Sequence, residues 1–153
     1  MNSLNAEDIS ALIPHRDPFL FVKNAVVVSE TEIEGVICWD ASHPILQGHF
    51  PQQPLVPGVC QVEACAQLAG VLLAWSARKN SDIQIGLGVL GAIHQARFHR
   101  LLCPGVQLHL VCKLRAMSQT LFLVKAAGQS DGQATLLCEF VIRLHVATPS
   151  PKA

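Results

Sequence analysis

Residues 49–70 read HFPQQPLVPGVCQVEACAQLAG, a loop punctuated by Pro54, Pro57 and Gly58 that runs straight into the most apolar helix candidate of the chain. Proline and glycine in this arrangement mark a boundary, so the helix is expected to begin near Val59 and to continue to about Ala77. Val, Cys, Ala, Leu and Trp occupy nearly every side of it, a pattern that means burial all round. Its length approaches that of a membrane span. Gln61, Glu63 and Gln67 crowd its first half, however, and a carboxylate in hydrocarbon is expensive. The economical reading is a core helix, with no membrane span, that carries a carboxylate near its start. A buried carboxylate is a candidate for function.

Outward from this helix the chain reads as strands. Upstream, residues 5–12 (NAEDISAL) form a polar cap followed by acidic and apolar positions, a short lead-in helix stopped by Pro14. After IPHRDPFLFV, the run from Phe19 to Val28 favours a strand, Ser29 to Thr31 a turn, and Glu32 to Trp39 the returning strand of a hairpin. Downstream, Arg78 to Asp82 is a polar connection. Ile83 to Phe98 is a strand whose middle is made irregular by Gly86, Gly88 and Gly91. Pro104 and Gly105 turn the chain into three further strands, Val106 to Ala116, Thr120 to Ala127 and Ala134 to His145, with Gly128 to Gly132 separating the last two. The tail from about residue 147 to 153 is expected to fray. The sum is an α+β chain, a single domain over residues 1–153, in which antiparallel strands pack on one long helix.

Composition sets the bounds. Of 153 residues, 50% are hydrophobic and only 14% charged, which implies that much of the surface is covered by another subunit. The formal net charge is zero, so nothing global points to nucleic acid. The start, MNSLNAEDIS, lacks a basic segment followed by an apolar run, and a cytoplasmic protein is the expectation. The six cysteines lie in apolar runs without a CxxC pair and read as buried, reduced thiols. Cys60 and Cys65 fall on different helix faces, a poor basis for a metal site, and none is expected.

Chemistry gathers in the opening stretch. His49 lies at the loop start, and Glu63 sits about a turn and a half into the helix. There the unpaired N–H groups of the helix start, that of Gly58 among them, can receive negative charge. Gln67 follows Glu63 by one turn on the same face and can hydrogen-bond the carboxylate or a water beside it. Alone, His49 reads equally well as a turn residue, Glu63 as a favourable charge for the helix dipole, and Gln67 as a satisfied core amide. Together they suit proton transfer next to a carbonyl group.

The whole string HFPQQPLVPGVCQVEACAQLAG resembles the signature HFPGxPxMPGVLxxEAxAQxxG of the FabZ-type 3-hydroxyacyl-[acyl-carrier-protein] dehydratases. IPHRDPFLFV is similar to that family's LPHRYPFLLVD, and ARFHRLLCPGVQL to its VRFRRPVVPGDQL, so the likeness runs from about Leu12 to His145. It implies the hotdog fold, a long central helix wrapped by an antiparallel sheet, with two subunits pairing their sheets and sharing active sites. It implies His49 and Glu63 as catalytic residues, contributed to each site by opposite subunits. Glu rather than Asp at position 63 favours the simple dehydratase over the dehydratase-isomerase.

The implied reaction is dehydration of a carrier-bound (3R)-hydroxyacyl thioester to the trans-2-enoyl thioester. His49 would take the α-proton, Glu63 would protonate the departing hydroxyl, and the Gly58 N–H would receive the thioester oxygen. No metal or redox cofactor is implied, the substrate riding on the phosphopantetheine of acyl carrier protein. Arg97 and Arg100 match basic positions that hold the carrier, and His15 and Arg16 of the PHR triplet are assigned structural hydrogen bonds. The implied assembly is a homodimer, with a trimer of dimers as its larger form. The chain departs from the pattern at Gln52, where the family has glycine, at Asp17, where it has tyrosine, and at GVLGAI before ARF, where aromatic residues are usual. These positions bear on substrate gating, and they leave room for a specialised polyketide or polyene route in place of fatty acid biosynthesis, the family's housekeeping role. Two other readings share the fold: a non-catalytic or half-active subunit that binds carrier protein beside a different dehydratase chain, and an acyl thioesterase.

Overall fold

The computed structural model describes residues 1–79 and 86–145. In chain order the elements are β1 (Asn2–Leu4), α1 (Ala6–Leu12), β2 (Ala25–Ser29), β3 (Glu32–Ile37), a 3-10 turn (Pro44–Leu46), α2 (Gly58–Lys79), β4 (Gly88–Phe98), β5 (Leu108–Ala116), β6 (Leu121–Ser130) and β7 (Gln133–Leu144). The strands form one sheet in the order β1-β2-β3-β5-β6-β7-β4, with antiparallel pairing throughout. The sheet wraps α2, as the sequence led one to expect.

Period-two patterning builds the inner face. Leu108, Leu110, Cys112 and Leu114 of β5 are buried, as are Leu136, Cys138, Phe140, Ile142 and Leu144 of β7, while their alternate neighbours are exposed or partly so, except Thr135 and Val141 of β7, which are buried too. These side chains meet Leu68 and Leu72 of α2 and Ile33 and Ile37 of β3 in one core, and each such side chain contributes about 1.5–3 kcal/mol by leaving water. The α2 helix is long and apolar enough to cross a membrane by length and composition, but 61% of its most apolar window is buried in this core.

The lead-in helix is fixed at both ends. The Asn5 side chain accepts from the Glu7 and Asp8 amides, and Asp8 reaches back to the Asn5 amide, a reciprocal cap that satisfies otherwise orphaned donors. Arg78, in the last turn of α2, donates to the Ala11 carbonyl and ties the two helices together.

Several expectations need correction. The strand read from Phe19 to Val28 is confined to Ala25–Ser29. Upstream of it the Phe21 amide and the Phe19 carbonyl bond to the Gln67 side chain rather than to a neighbouring strand. Strand β1 was not foreseen. Gly128 does not separate β6 from β7. It lies within β6, where a Cβ would come within 3.0 Å of Leu110 and 3.1 Å of Leu108, and the reversal falls at Asp131 and Gly132 alone, both with positive φ (49° and 72°). Cys65, Cys112 and Cys138 are buried and Cys60 partly so, but Cys38 and Cys103 are exposed, against the reading of all six as buried. Ile83 to Ile85, read as the start of β4, and the tail from Val146 lie outside the described residues. The irregular middle expected for that strand is present: pairing with β7 shifts register between Leu90 and Ala92 and again between Ile93 and Gln95.

Candidate active site

Glu63 points from the second turn of α2 into a cavity of about 290 Å³. One face of the helix floors it, through Glu63, Ala66, Gln67, Gly70, Leu73 and Ala74, and it is walled by Leu87 just before β4, by Gly88 and Leu90 of β4, and by Ile142 and Leu144 of β7. These helix positions follow the i, i+3, i+4, i+7 spacing of one stripe. Small residues at 66, 70 and 74 leave the space. A second cavity of about 530 Å³, at the C-terminal end of α2, shares Leu73 and Leu144 with the first.

The carboxylate is held on one oxygen. Glu63 Oε1 accepts from Gln67 Nε2 at 2.9 Å and lies 3.3 Å from His15 Nε2. Gln67, only 1% exposed, also donates to the Phe19 carbonyl at 2.8 Å and accepts from the Phe21 amide at 2.9 Å. It therefore joins the segment before β2 to the carboxylate. Partial burial, and after it the charge of Glu63, pushes the Cys60 thiol above its ordinary range.

His49 is half-buried and lies elsewhere, outside the residues that line this cavity. Its Nδ1 is 3.0 Å from the Leu55 carbonyl. A carbonyl only accepts, so Nδ1 carries a hydrogen, and in the neutral ring that leaves the lone pair on Nε2, the tautomer required of a base. The ring packs 4.2 Å from that of Phe50. Phe50 has a φ of 55° and Gly48 of 82°. A non-glycine residue in the left-handed region is a costly conformation of the kind that clusters at functional sites. Within one chain, then, the two residues that the motif pairs are not brought into one pocket.

Gly58 opens α2, and the Cys60 and Gln61 amides already turn back to the Pro57 carbonyl, leaving its own N–H ahead of the first bonded turn. Packing requires a glycine there independently of any chemistry, because a Cβ would sit 2.8 Å from Cζ of Phe98. Arg97, on β4, and Arg100, just beyond it, are exposed, and neither makes an ion pair among the described residues. His15 is the residue whose place the sequence reading missed. Its signal was the PHR triplet, but spacing could not reveal that this ring reaches a carboxylate forty-eight residues on.

A long helix wrapped by a single antiparallel sheet is the hotdog fold, and solved structures share that architecture. The dehydratase heterocomplex ApeI:P from Xenorhabdus doucetiae matches with a TM-score of 0.77 at 17% identity, covering 90% of each chain. Cj0977, a sigma28-regulated virulence protein from Campylobacter jejuni, matches at 0.66 and 15% identity, covering 92% of each chain. A hypothetical thioesterase with coenzyme A from Streptococcus pneumoniae matches at 0.59 and 9% identity, covering 92% of this chain and 93% of that one. At these identities the likeness shows the fold alone. The family is shown by sequence: the ApeI dehydratase model matches residues 25–135, and the chain belongs to the ApeI-like dehydratase family.

Proposed function

We propose that the chain is a catalytic dehydratase subunit acting on a 3-hydroxyacyl thioester presented by acyl carrier protein. The observation that carries this reading is the Glu63–Gln67 pair at the head of an apolar cavity, together with a histidine whose Nε2 is left free by the bond at Nδ1. His49 takes the α-proton on Nε2, the Cβ–O bond breaks, and Glu63 gives its proton to the departing hydroxyl, releasing water. The Gly58 N–H faces the negative charge on the thioester oxygen, the apolar cavity receives the acyl chain, and Arg97 and Arg100 meet the acidic carrier. None of these steps calls for a metal or redox group.

The proposed reaction calls for a second chain, since His49 lies outside the Glu63 cavity of its own chain. Among the described residues strand β4 is an edge, paired with β7 alone, and Leu90, Ile93 and Phe98 are 40%, 51% and 46% exposed. An open apolar edge of this kind invites another strand. A second hotdog chain seated there brings its own His49 toward Glu63. The partner is a copy of this chain in the first reading. The second reading is a heteromeric dehydratase in which this chain is one of two kinds, and the Xenorhabdus doucetiae heterocomplex, a structural relative, favours keeping it.

Incubating the purified chain with 3-hydroxyacyl carrier protein and following the mass for loss of water tests the proposal. Release of free acid would instead indicate thioester hydrolysis, and turnover only after a second dehydratase chain is added would select the heteromer. In the homodimer, His49→Ala and Glu63→Ala proteins are each inactive. Mixed and re-equilibrated in equal amounts they recover about a quarter of native activity, because half the dimers are hybrids with one intact site of two. No recovery by the mixture would refute shared sites.

A further inference from the structure

We infer that His15 is a positioning residue for Glu63: with Gln67 it clamps Oε1, leaving Oε2 as the oxygen that faces the substrate. The inference rests on the reading of Glu63 as the acid of the reaction. The loop that carries His15 is folded onto itself by Arg16, whose Nη1 donates to the Ile13 carbonyl at 2.9 Å and to the His15 carbonyl at 2.6 Å. This sets the imidazole at the cavity wall with Nε2 3.3 Å from Glu63 Oε1. The other ring nitrogen, Nδ1, is buried and has no hydrogen-bond partner.

That asymmetry selects the tautomer. With the hydrogen on Nε2, the ring donates to the carboxylate and buries a bare lone pair at Nδ1. With the hydrogen on Nδ1, a buried donor would go unpaired and two lone pairs would oppose each other at Nε2. The doubly protonated ring would bury the same unpaired donor. Glu63 and His15 are the ionisable residues among those lining the cavity. On His15's own loop Arg16 is spent on carbonyls and Asp17 pairs with Lys23 at 3.0 Å, and Cys60 stands one turn before Glu63 on α2. Gln67 donates to Oε1, the His15 ring stands beside the same oxygen with Nε2 at 3.3 Å, and no protein donor contacts Oε2 among the described residues. A carboxyl group whose rotation is fixed delivers its proton along one direction, a contribution to the rate of the chemical step rather than to substrate binding.

Two measurements test this, one of them independent of turnover. Nitrogen-15 NMR of the histidine rings at neutral pH should show His15 as a single Nε2–H tautomer in the native protein and as a mixture in Glu63→Ala. A native His15 that is Nδ1–H, or already mixed, would overturn the inference even if the chain proved not to be a dehydratase. In steady-state dehydration, His15→Leu should lower kcat about tenfold with KM within about twofold of native, and His15→Gln, which restores a donor of similar reach, should recover kcat to within about threefold. Equal kcat in all three proteins, or a His15→Leu defect confined to KM, would refute the positioning role. So would a defect that His15→Gln fails to rescue while both variants melt at the native temperature.

Discussion

Replacing Gln67 by leucine would preserve its volume and remove three hydrogen bonds at once. The Phe21 amide loses its acceptor, the Phe19 carbonyl its donor, and Glu63 Oε1 the Gln67 N–H. A buried group left unpaired costs about 1–3 kcal/mol. The Phe21 contact is fully buried and the Phe19 contact partly so, which places the two together at about 3–4 kcal/mol, a third or more of the roughly 5–15 kcal/mol that stabilises a typical domain. Gln61, on the same helix and 3% exposed, is the control. Its Nε2 makes one bond of 3.3 Å to the Val56 carbonyl, and its Oε1 is already without a partner. Leucine there exchanges one weak bond for the removal of an orphaned acceptor, and the change should stay within about 1 kcal/mol of zero. Urea unfolding at one fixed protein concentration measures both, since subunit association would otherwise shift the midpoint. If Gln67→Leu lost less than about 1 kcal/mol, or no more than Gln61→Leu, the view of Gln67 as the tie between α2 and residues 19–21 would be wrong.

Further perturbations probe other parts of the molecule. Ile93→Asp places a charge on the open edge strand, where the native side chain is 51% exposed; sedimentation should show dissociated chains, and an unchanged assembly would show that β4 is not the contact. Gly132→Ala forces a Cβ into a φ of 72° and should cost about 1 kcal/mol, lowering Tm by about 2–4 °C, while a neutral result would contradict the turn geometry. Iodoacetamide at neutral pH should label Cys38 and Cys103, which are exposed, well before Cys65, Cys112 and Cys138. The thiols of Cys65 and Cys138 are pushed far up, Cys65 chiefly by its hydrogen bond with Cys112 and Cys138 by that with Cys65, with burial acting on both. Since the thiolate is the nucleophile, early labelling of either would refute the packing described for them.

The central helix and most strands were legible because each carries its own period. The alternation in β5 and the all-round apolar run of α2 depend on neighbours close in sequence. The segment before β2 was not legible, since its hydrogen-bond partner is a side chain forty-six residues away, and β-branched or aromatic content cannot distinguish a ladder from a glutamine that imitates one. Gly128 misled for a related reason: a glycine required by the close approach of Leu108 and Leu110 looks in sequence like a glycine required by a turn. The Asp131–Gly132 pair did carry the two-residue reversal signal. At the site, the motif supplied Glu63 and Gln67 as neighbours and His49 as a residue, and the family resemblance already implied that the His49 and Glu63 of one site come from opposite subunits; where His49 sits in its own chain, at the Leu55 carbonyl, needed the fold. The part of His15 needed coordinates, because the triplet that contains it reads equally well as scaffolding.

Strand β4 plays two parts whose combination has an evolutionary consequence. Its Gly88, Val89 and Leu90 wall the cavity, and the same strand is the outer boundary of the sheet. Any chain that binds along this boundary presses on the wall of the pocket. The dimensions of the pocket are then heritable through two sequences rather than one. On the proposed function, a change of partner would retune which acyl groups fit without a single substitution near Glu63, and selection on substrate range would act on the partner while this chain stays as it is.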